Sequence, residues 1–149
     1  MNILSMKEDY IEAYVDLYME VFQGEPWYME EERGDILAYF RKYFNLNNFL
    51  GYTIVDGAGE LLGFSLGYKK PWIEGYEYYI DQFCIGRSQQ GQGLGRYFLD
   101  QLYRILPGEE IANIVLMTEE GLPAYSFYRG QGFEELEDNR LLVKELGNI

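Results

Sequence analysis

Three glycines, Gly91, Gly93 and Gly95, stand at alternate positions just before a segment with an apolar face. Because glycine has no Cβ, a ligand can approach the backbone N–H groups of such a stretch closely. The first N–H groups of a helix have no partner inside it, and the helix dipole places partial positive charge there. This chemistry suits a phosphate group. The glycines alone are equally consistent with a tight turn that needs their dihedral freedom.

The segments on either side of these glycines predict a strand, a turn and a helix. Tyr76–Ile85 is rich in apolar and β-forming residues, which is typical of a strand. Apolar residues then recur at every fourth position and predict one buried helix face: Leu94, Phe98, Leu102 and Leu106. The predicted turn therefore lies at the start of a helix, where a phosphate would bind.

Two familiar phosphate motifs do not fit this turn. The P-loop requires Gly-Lys-Ser/Thr, whereas Gly95 is followed by Arg96 and Tyr97. The dinucleotide fingerprint G-x-G-x-x-G requires a glycine where Arg96 stands. The pattern that fits is Gln90-x-x-Gly93-x-Gly95, with Arg87 and Arg96 flanking the turn.

This pattern resembles the Q/R-x-x-G-x-G/A pyrophosphate signature of the GNAT N-acetyltransferase superfamily, whose members bind acetyl-CoA. Nearer the end of the chain, Ala124-x-x-x-Tyr128-x-x-x-Gly132-Phe133 resembles the second signature of that family, a helix that ends in Y-x-x-x-G-F. With two separate motifs in the expected order, the chain is identified by resemblance as a GNAT member. Gly24-Glu25-Pro26-Trp27 and Pro71-Trp72 are similar to a branch that includes aminoglycoside-acetylating enzymes.

The whole chain predicts a mixed α/β (α+β) fold in the order β-α-α-β-β-β-α-β-α-β-β, which matches the GNAT order. The resemblance implies a central, mostly antiparallel twisted sheet with a strand-helix-strand CoA-binding core. At 149 residues, a single domain over residues 1–149 is expected. The predicted strands are Asn2–Ser5, Leu50–Val55, Leu61–Lys69, Tyr76–Ile85, Ile111–Thr118, Phe133–Glu137 and Arg140–Glu145. The predicted helices are Tyr10–Phe22, Glu30–Phe44, Leu94–Leu106 and Pro123–Gly130.

The resemblance also implies cofactor-binding residues. The segment Phe83, Cys84 and Ile85 would lie beside the pantetheine arm, with the Phe83 N–H facing the thioester carbonyl. The pyrophosphate would rest on the turn formed by Gln90, Gly91, Gln92, Gly93, Leu94, Gly95 and Arg96. With no histidine to activate it, the Cys84 thiol is expected to serve packing.

Tyr128 is similar to the family tyrosine that lies near the CoA sulfur and protonates the leaving thiolate. A phenol of ordinary pKa about 10 is a suitable acid for a thiolate whose conjugate thiol has a pKa of about 8.5. The alternative role for Tyr128 is packing against the core or the cofactor.

The acceptor amine requires a base, because an alkylammonium is almost fully protonated at neutral pH. Asp81 is the first candidate, since strand alternation places it on the same face as Phe83 and Ile85. A β-bulge, common here in the family, would change the alternation and present Gln82 instead. Asp81 is also consistent with a structural or acceptor-binding carboxylate, with water as the base.

Loop residues supply the other acceptor-binding candidates. Glu25, Trp27, Trp72 and Glu74 combine aromatic faces with carboxylates, which together suit an ammonium group. The alternative is that they are ordinary surface residues.

Composition excludes several classes of function. The absence of histidine removes Ser-His and Cys-His nucleophilic machinery and histidine metal sites, and no metal is implied. A net charge of −13 disfavours nucleic acids and anionic membranes as partners and favours cationic ones, although acidity also serves solubility. The single cysteine, the absence of a membrane-length apolar run and the lack of a signal pattern predict a cytoplasmic protein.

Together these features predict an enzyme that moves acetyl from acetyl-CoA directly to a primary amine in a ternary complex. The expected acceptor is a small cation, aminoglycoside-like or polyamine-like. A protein or peptide amine is one alternative, and a non-catalytic acyl-CoA-binding sensor or interaction domain is another. The sequence leaves the oligomeric state open, a homodimer included.

Overall fold

A computed structural model describes residues 1–147 of the chain. The chain divides into two compact units, Met1–Met117 and Thr118–Ile149. No helix within the described residues combines the length and the apolarity needed to cross a membrane.

The first unit is a five-stranded sheet with three helices. The strands are β1 (Asn2–Ser5), β2 (Phe49–Val55), β3 (Leu61–Pro71), β4 (Tyr76–Ile85) and β5 (Ile111–Leu116). The helices are α1 (Ile11–Phe22), α2 (Arg33–Phe44) and α3 (Leu94–Ile105), with a short 3-10 turn at Arg87–Gln89. The strands lie side by side in chain order, and only the β4–β5 pair is parallel. A parallel pair requires a crossover connection, which α3 supplies. The predicted mixed α/β fold with a mostly antiparallel sheet is confirmed.

Helices α1 and α2 pack on one face of this sheet through an aromatic core. Phe40 of α2 lies 5.3 Å from Tyr18 of α1 and 5.8 Å from Phe64 of β3, measured between ring centroids. Phe40 and Phe64 are fully buried. Outside the core, the Arg33 guanidinium pairs with Glu12 and Asp16 of α1. These contacts dock the first turn of α2, which begins at Arg33 rather than at the predicted Glu30.

The second unit contains α4 (Pro123–Gly130), which matches the predicted helix. Proline at its first position costs no hydrogen bond, because that N–H would have no helical partner. Burial of Tyr128 and its edge-on packing against Phe127 and Phe133 stabilise this helix.

The two closing strands predicted at Phe133–Glu137 and Arg140–Glu145 are not formed, so the observed order ends at α4. Leu136 is 69% exposed and Leu142 is 89% exposed, so neither predicted strand buries an apolar face. In place of a strand ladder, this segment contains a local turn, which is closed by the hydrogen bond from Asn139 N–H to the Leu136 carbonyl. A two-stranded ribbon without such a face is at best marginally stable.

Candidate functional site

The predicted phosphate turn forms at the start of α3. Gly91 and Gly93 have φ of +76° and +79°, a conformation that glycine adopts without strain. A Cβ built on either glycine would meet no heavy atom within 4 Å, so both positions face open space. Gly93 is the residue that precedes α3, and no side chain caps the helix there. No acidic residue lies in the first turn of α3, where Arg96 is exposed. This end of α3 has the geometry and charge of an anion site.

The strand that leads into this turn is paired on one side along its whole length. β4 pairs with β3 as far as Ile85, whereas its pairing with β5 ends at Ile80 opposite Leu116. The Gly86 N–H donates to the Leu62 carbonyl of β3. Because N–H directions alternate along a strand, those of Phe83 and Ile85 point toward the β5 side. This is the direction that a pantetheine arm laid along β4 would require.

A β-bulge lies in β4 at the predicted base. Leu66 of β3 pairs with Gln82 and Gly67 pairs with Ile80, so Asp81 is the extra residue. A Cβ on Gly67 would collide with the Tyr79 carbonyl oxygen, which explains why glycine lies opposite the bulge. The prediction that Asp81 shares one face of the strand with Phe83 and Ile85 assumed that side chains alternate regularly along β4. The bulge interrupts that alternation at Asp81.

Asp81 and Gln82 therefore meet the same residue of α2. The Tyr39 hydroxyl donates to the Asp81 carboxylate and accepts from Gln82 Nε2 at 3.3 Å. Phe83, by contrast, stacks on Phe98 of α3 with ring centroids 5.4 Å apart. Partial burial raises the pKa of the Asp81 carboxyl above its ordinary value. The side chain remains partly solvent-exposed, and the raised pKa makes Asp81 a stronger base than a fully solvated aspartate.

Tyr39 contacts a second tyrosine on α2, and another tyrosine pair lies across β3 and β4. The Tyr39 ring packs edge-on against Tyr43 at 5.7 Å, and Tyr68 stacks on Tyr79 at 5.4 Å. Burial, and next the neighbouring Tyr68, raise the pKa of Tyr43. Sequence reasoning missed Tyr39, although two tyrosines four positions apart on α2 were a visible signal.

The predicted acceptor-loop residues lie in two separate loops, one after α1 and one between β3 and β4. Glu25 is exposed, and Trp27 is half-buried with its ring 4.8 Å from Phe22. Trp72 is 47% exposed, with the Lys70 ammonium 5.4 Å from its ring centroid. Glu74 is exposed in the β3–β4 turn.

Arg87, which flanks the glycine turn, and Cys84, which lies in the predicted cofactor strand, have side chains that contact other elements. The Arg87 side chain is directed to the end of α1, where it donates to backbone carbonyls, rather than to the glycine turn. Cys84 is buried among the residues of α1 and α2, and burial raises the pKa of its thiol. The thiol is therefore neutral, as packing requires.

In the second unit, Tyr128 is buried on α4. Its carbonyl accepts the N–H groups of Gln131 and Phe133, which closes the helix at Gly132. Gly132 has a φ of +91°, so the helix ends through the left-handed conformation that glycine favours.

A sequence model described as the acetyltransferase (GNAT) family matches residues 6–133 of the chain. No curated protein is significantly similar to it in sequence.

Solved structures share its fold at low identity. A "possible acetyltransferase" from Clostridium difficile 630 has a TM-score of 0.80 at 14% identity, and 98% of each chain is covered. The aminoglycoside antibiotic 6'-N-acetyltransferase AAC(6')-IG from Acinetobacter haemolyticus has a TM-score of 0.73 at 10% identity, covering 99% of this chain and 100% of that one. The aminoglycoside N-acetyltransferase AAC(6')-Iy, solved in complex with CoA, has a TM-score of 0.70 at 15% identity, covering 97% and 93%.

Proposed function

The chain belongs to the acetyltransferase (GNAT) family, and on that premise we propose that it moves acetyl from acetyl-CoA directly to a primary amine of a small cationic acceptor. The observation that carries this proposal is the open glycine turn at the uncapped start of α3, directly after β4. An anion on that turn would leave its attached arm beside the Phe83 and Ile85 amides.

The turn can hold a pyrophosphate through backbone N–H groups, so a basic side chain is not needed at every contact. Backbone N–H groups from Gly91 to Arg96 are the proposed donors, since the Gln90 N–H is bonded to the Arg87 carbonyl, and Arg96 is available at the exposed side of the helix. Acetyl-CoA supplies the acetyl group as a thioester. The Phe83 N–H donates to the thioester carbonyl oxygen and stabilises the charge that develops there, a contribution of about 3 kcal/mol for one such donor.

Two side chains move the protons. Asp81 takes the proton of the acceptor ammonium, and Tyr39 holds the carboxylate in place. The amine nitrogen then forms a bond to the carbonyl carbon as the bond from carbon to sulfur breaks. By resemblance to the family tyrosine, Tyr128 donates its hydroxyl proton to the leaving thiolate. The nitrogen loses its second proton as the amide forms, and this proton restores the Tyr128 hydroxyl through solvent. The proton held by Asp81 is then released to solvent. The direct transfer requires both substrates in one ternary complex, with no acyl-enzyme.

The surroundings of Asp81 support a cationic acceptor, aminoglycoside-like or polyamine-like. The Asp81 carboxylate attracts an ammonium group, and the neighbouring Tyr39 ring adds cation–π attraction. The net charge of −13 adds long-range attraction for a polycation. Glu25, Trp27 and Trp72 are proposed to contact the remainder of the acceptor.

The test has two arms. Thermal stabilisation by acetyl-CoA measures binding, and release of free thiol with polyamines, aminoglycosides and peptides measures turnover. We expect stabilisation by acetyl-CoA and thiol release with small cationic amines. Release of free thiol with peptides but not with small amines would instead favour a protein or peptide acceptor. Stabilisation with no release from any amine would favour a non-catalytic CoA-binding domain.

A further inference from the structure

The Arg87 side chain connects two parts of the first unit that are distant in sequence. Its Nε donates to the Glu20 carbonyl at 3.2 Å, and its Nη2 donates to the Val21 carbonyl at 2.6 Å. Nη2 also donates to the Glu25 carbonyl, again at 2.6 Å. The first two carbonyls belong to the last turn of α1, and the third belongs to the loop that follows it. One guanidinium therefore holds the end of α1 and the proposed acceptor loop together.

The loop is built around this guanidinium. A Cβ on Gly24 would lie 2.6 Å from Arg87 Nη2, so only glycine leaves room for the contact. Tyr28 N–H donates to the Gly24 carbonyl at 2.9 Å, and Met29 N–H donates to the Phe22 carbonyl at 2.8 Å. Together these bonds hold the loop that carries Glu25 and Trp27.

The backbone of Arg87 belongs to the other proposed site. Arg87 begins the 3-10 turn that joins β4 to the glycine turn, and its carbonyl accepts the Gln90 N–H at 3.2 Å. The preceding Gly86 packs on α1, since a Cβ there would lie 3.2 Å from Leu17 Cδ1. Only three residues separate Arg87 from Gly91, so an anion on the glycine turn would restrict the backbone from which the guanidinium projects.

The chemistry of these contacts requires arginine. The last carbonyls of a helix have no helical partner and carry partial negative charge, which a cation satisfies. A planar guanidinium presents several N–H groups in a fixed fork and reaches three carbonyls at once. A lysine ammonium at the same place would reach fewer of them.

We propose that Arg87 is a positioning residue that couples the two substrate sites, so that cofactor binding at the glycine turn tightens the loop Gly24–Met29 at the acceptor end. This inference rests on the proposed function, because it takes the glycine turn as the cofactor site. When CoA binding has already ordered the loop Gly24–Met29, the acceptor loses less conformational entropy on binding there. Binding of the two substrates is then cooperative.

Hydrogen–deuterium exchange of the peptide containing residues 24–29 tests the coupling without an acceptor. In the wild type, saturating CoA is expected to slow exchange at the Tyr28 and Met29 amides by at least about threefold. In Arg87→Ala, exchange is expected to be fast with or without CoA, and Arg87→Lys is expected to restore part of the CoA effect. Arg104→Ala, an exposed arginine in the last turn of α3, is the matched control and is expected to behave as the wild type.

The CoA-dependent difference separates coupling from simple support of the loop. A purely structural Arg87 would raise exchange in Arg87→Ala equally in both states and leave the CoA effect intact, which would overturn the proposal. Unchanged exchange in wild type that binds CoA would overturn it as well. If Arg87→Ala fails to fold, Arg87→Lys decides: a CoA effect equal to that of wild type would contradict the proposal.

CoA affinity, measured in parallel by calorimetry, separates this inference from the proposed function. We expect Arg87→Lys to bind CoA within about twofold of the wild-type affinity, because the turn amides are unchanged. Absence of CoA binding in the wild type would reject the proposed function, and the inference with it.

Discussion

Asp81 is the extra residue of the β-bulge in β4, and this bulge determines its position. The bulge turns its carboxylate toward Tyr39, on the side of the sheet covered by α2, and partial desolvation there raises its pKa. A base must be ionised to act, so the rate should fall as pH drops through this raised pKa. The Tyr39 hydroxyl opposes the shift, since a hydrogen bond to the carboxylate favours the charged form.

Removal of the Tyr39 hydroxyl should therefore move the acid limb of the pH–rate profile upward. A hydrogen bond to a charged group is worth about 1.5 kcal/mol or more, so we expect Tyr39→Phe to shift the limb by about one pH unit. Asp81→Asn should remove the limb and lower kcat by about a hundredfold. The measurement is kcat against pH with the amine found by thiol release.

Tyr43→Phe is the matched control, because Tyr43 contacts Tyr39 through its ring. Its profile should coincide with that of the wild type. An acid limb that survives in Asp81→Asn would show that water or another group is the base.

The proposed role of the Tyr128 hydroxyl as the acid can be tested separately from its packing. Phenylalanine keeps the packing against Phe127 and Phe133 and removes only the hydroxyl proton. We expect Tyr128→Phe to lower kcat by about a hundredfold while the Kd for acetyl-CoA stays within about twofold. Tyr125→Phe, on the same helix, is the control. Turnover equal to wild type in Tyr128→Phe would remove Tyr128 as the acid and leave it a packing role.

At the scale of elements, the junction of β4 and α3 is the proposed diphosphate site. The strand directs two amides to the β5 side, and the helix begins at a glycine with open space in front of it. Both properties belong to the junction as a whole, since neither element alone presents an anion site beside an extended arm.

Gly93→Glu places bulk, a carboxylate and a residue with unfavourable φ at this junction. We expect the Kd for CoA to rise by about a hundredfold or more, because the new charge faces the pyrophosphate and the dihedral strains the turn. Gly57→Glu in the β2–β3 turn adds the same charge where a Cβ has open space. That control should bind CoA as the wild type does, and unchanged affinity in Gly93→Glu would place the pyrophosphate elsewhere.

At the scale of the whole molecule, the two proposed substrates are opposite in charge. The protein carries −13, which attracts a cationic amine and repels polyanionic CoA. Binding of CoA must then depend on local hydrogen-bond donors that outweigh the repulsion from the net charge, and the backbone N–H groups of the glycine turn are the proposed donors.

Ionic strength should therefore affect the two substrates in opposite directions. Between about 0.02 M and about 0.5 M salt, we expect kcat/KM for the amine to fall several-fold and the KM for acetyl-CoA to decrease, since salt screens both interactions. Steady-state kinetics at four salt concentrations measure both effects. Equal kcat/KM for the amine across this range would argue against a cationic acceptor.

The sequence alone determined the glycine turn, the helix after it and the strand-helix-strand order of this unit. These follow from local rules, because glycine dihedrals, apolar periodicity and proline at a helix start act over a few residues. The two closing strands were the main failure in the fold. Their apolar residues fit a strand locally, but a strand forms only where a partner and a buried face exist.

Tertiary structure alone decided which groups meet. The bulge at Asp81 depends on the register with β3, and Tyr39 reaches the carboxylate only because α2 packs on that face of the sheet. Arg87 was expected beside the phosphate turn, yet its guanidinium holds the end of α1. Such contacts join residues 42 to 67 positions apart, a separation at which residue type constrains what can bind but only packing selects the partner.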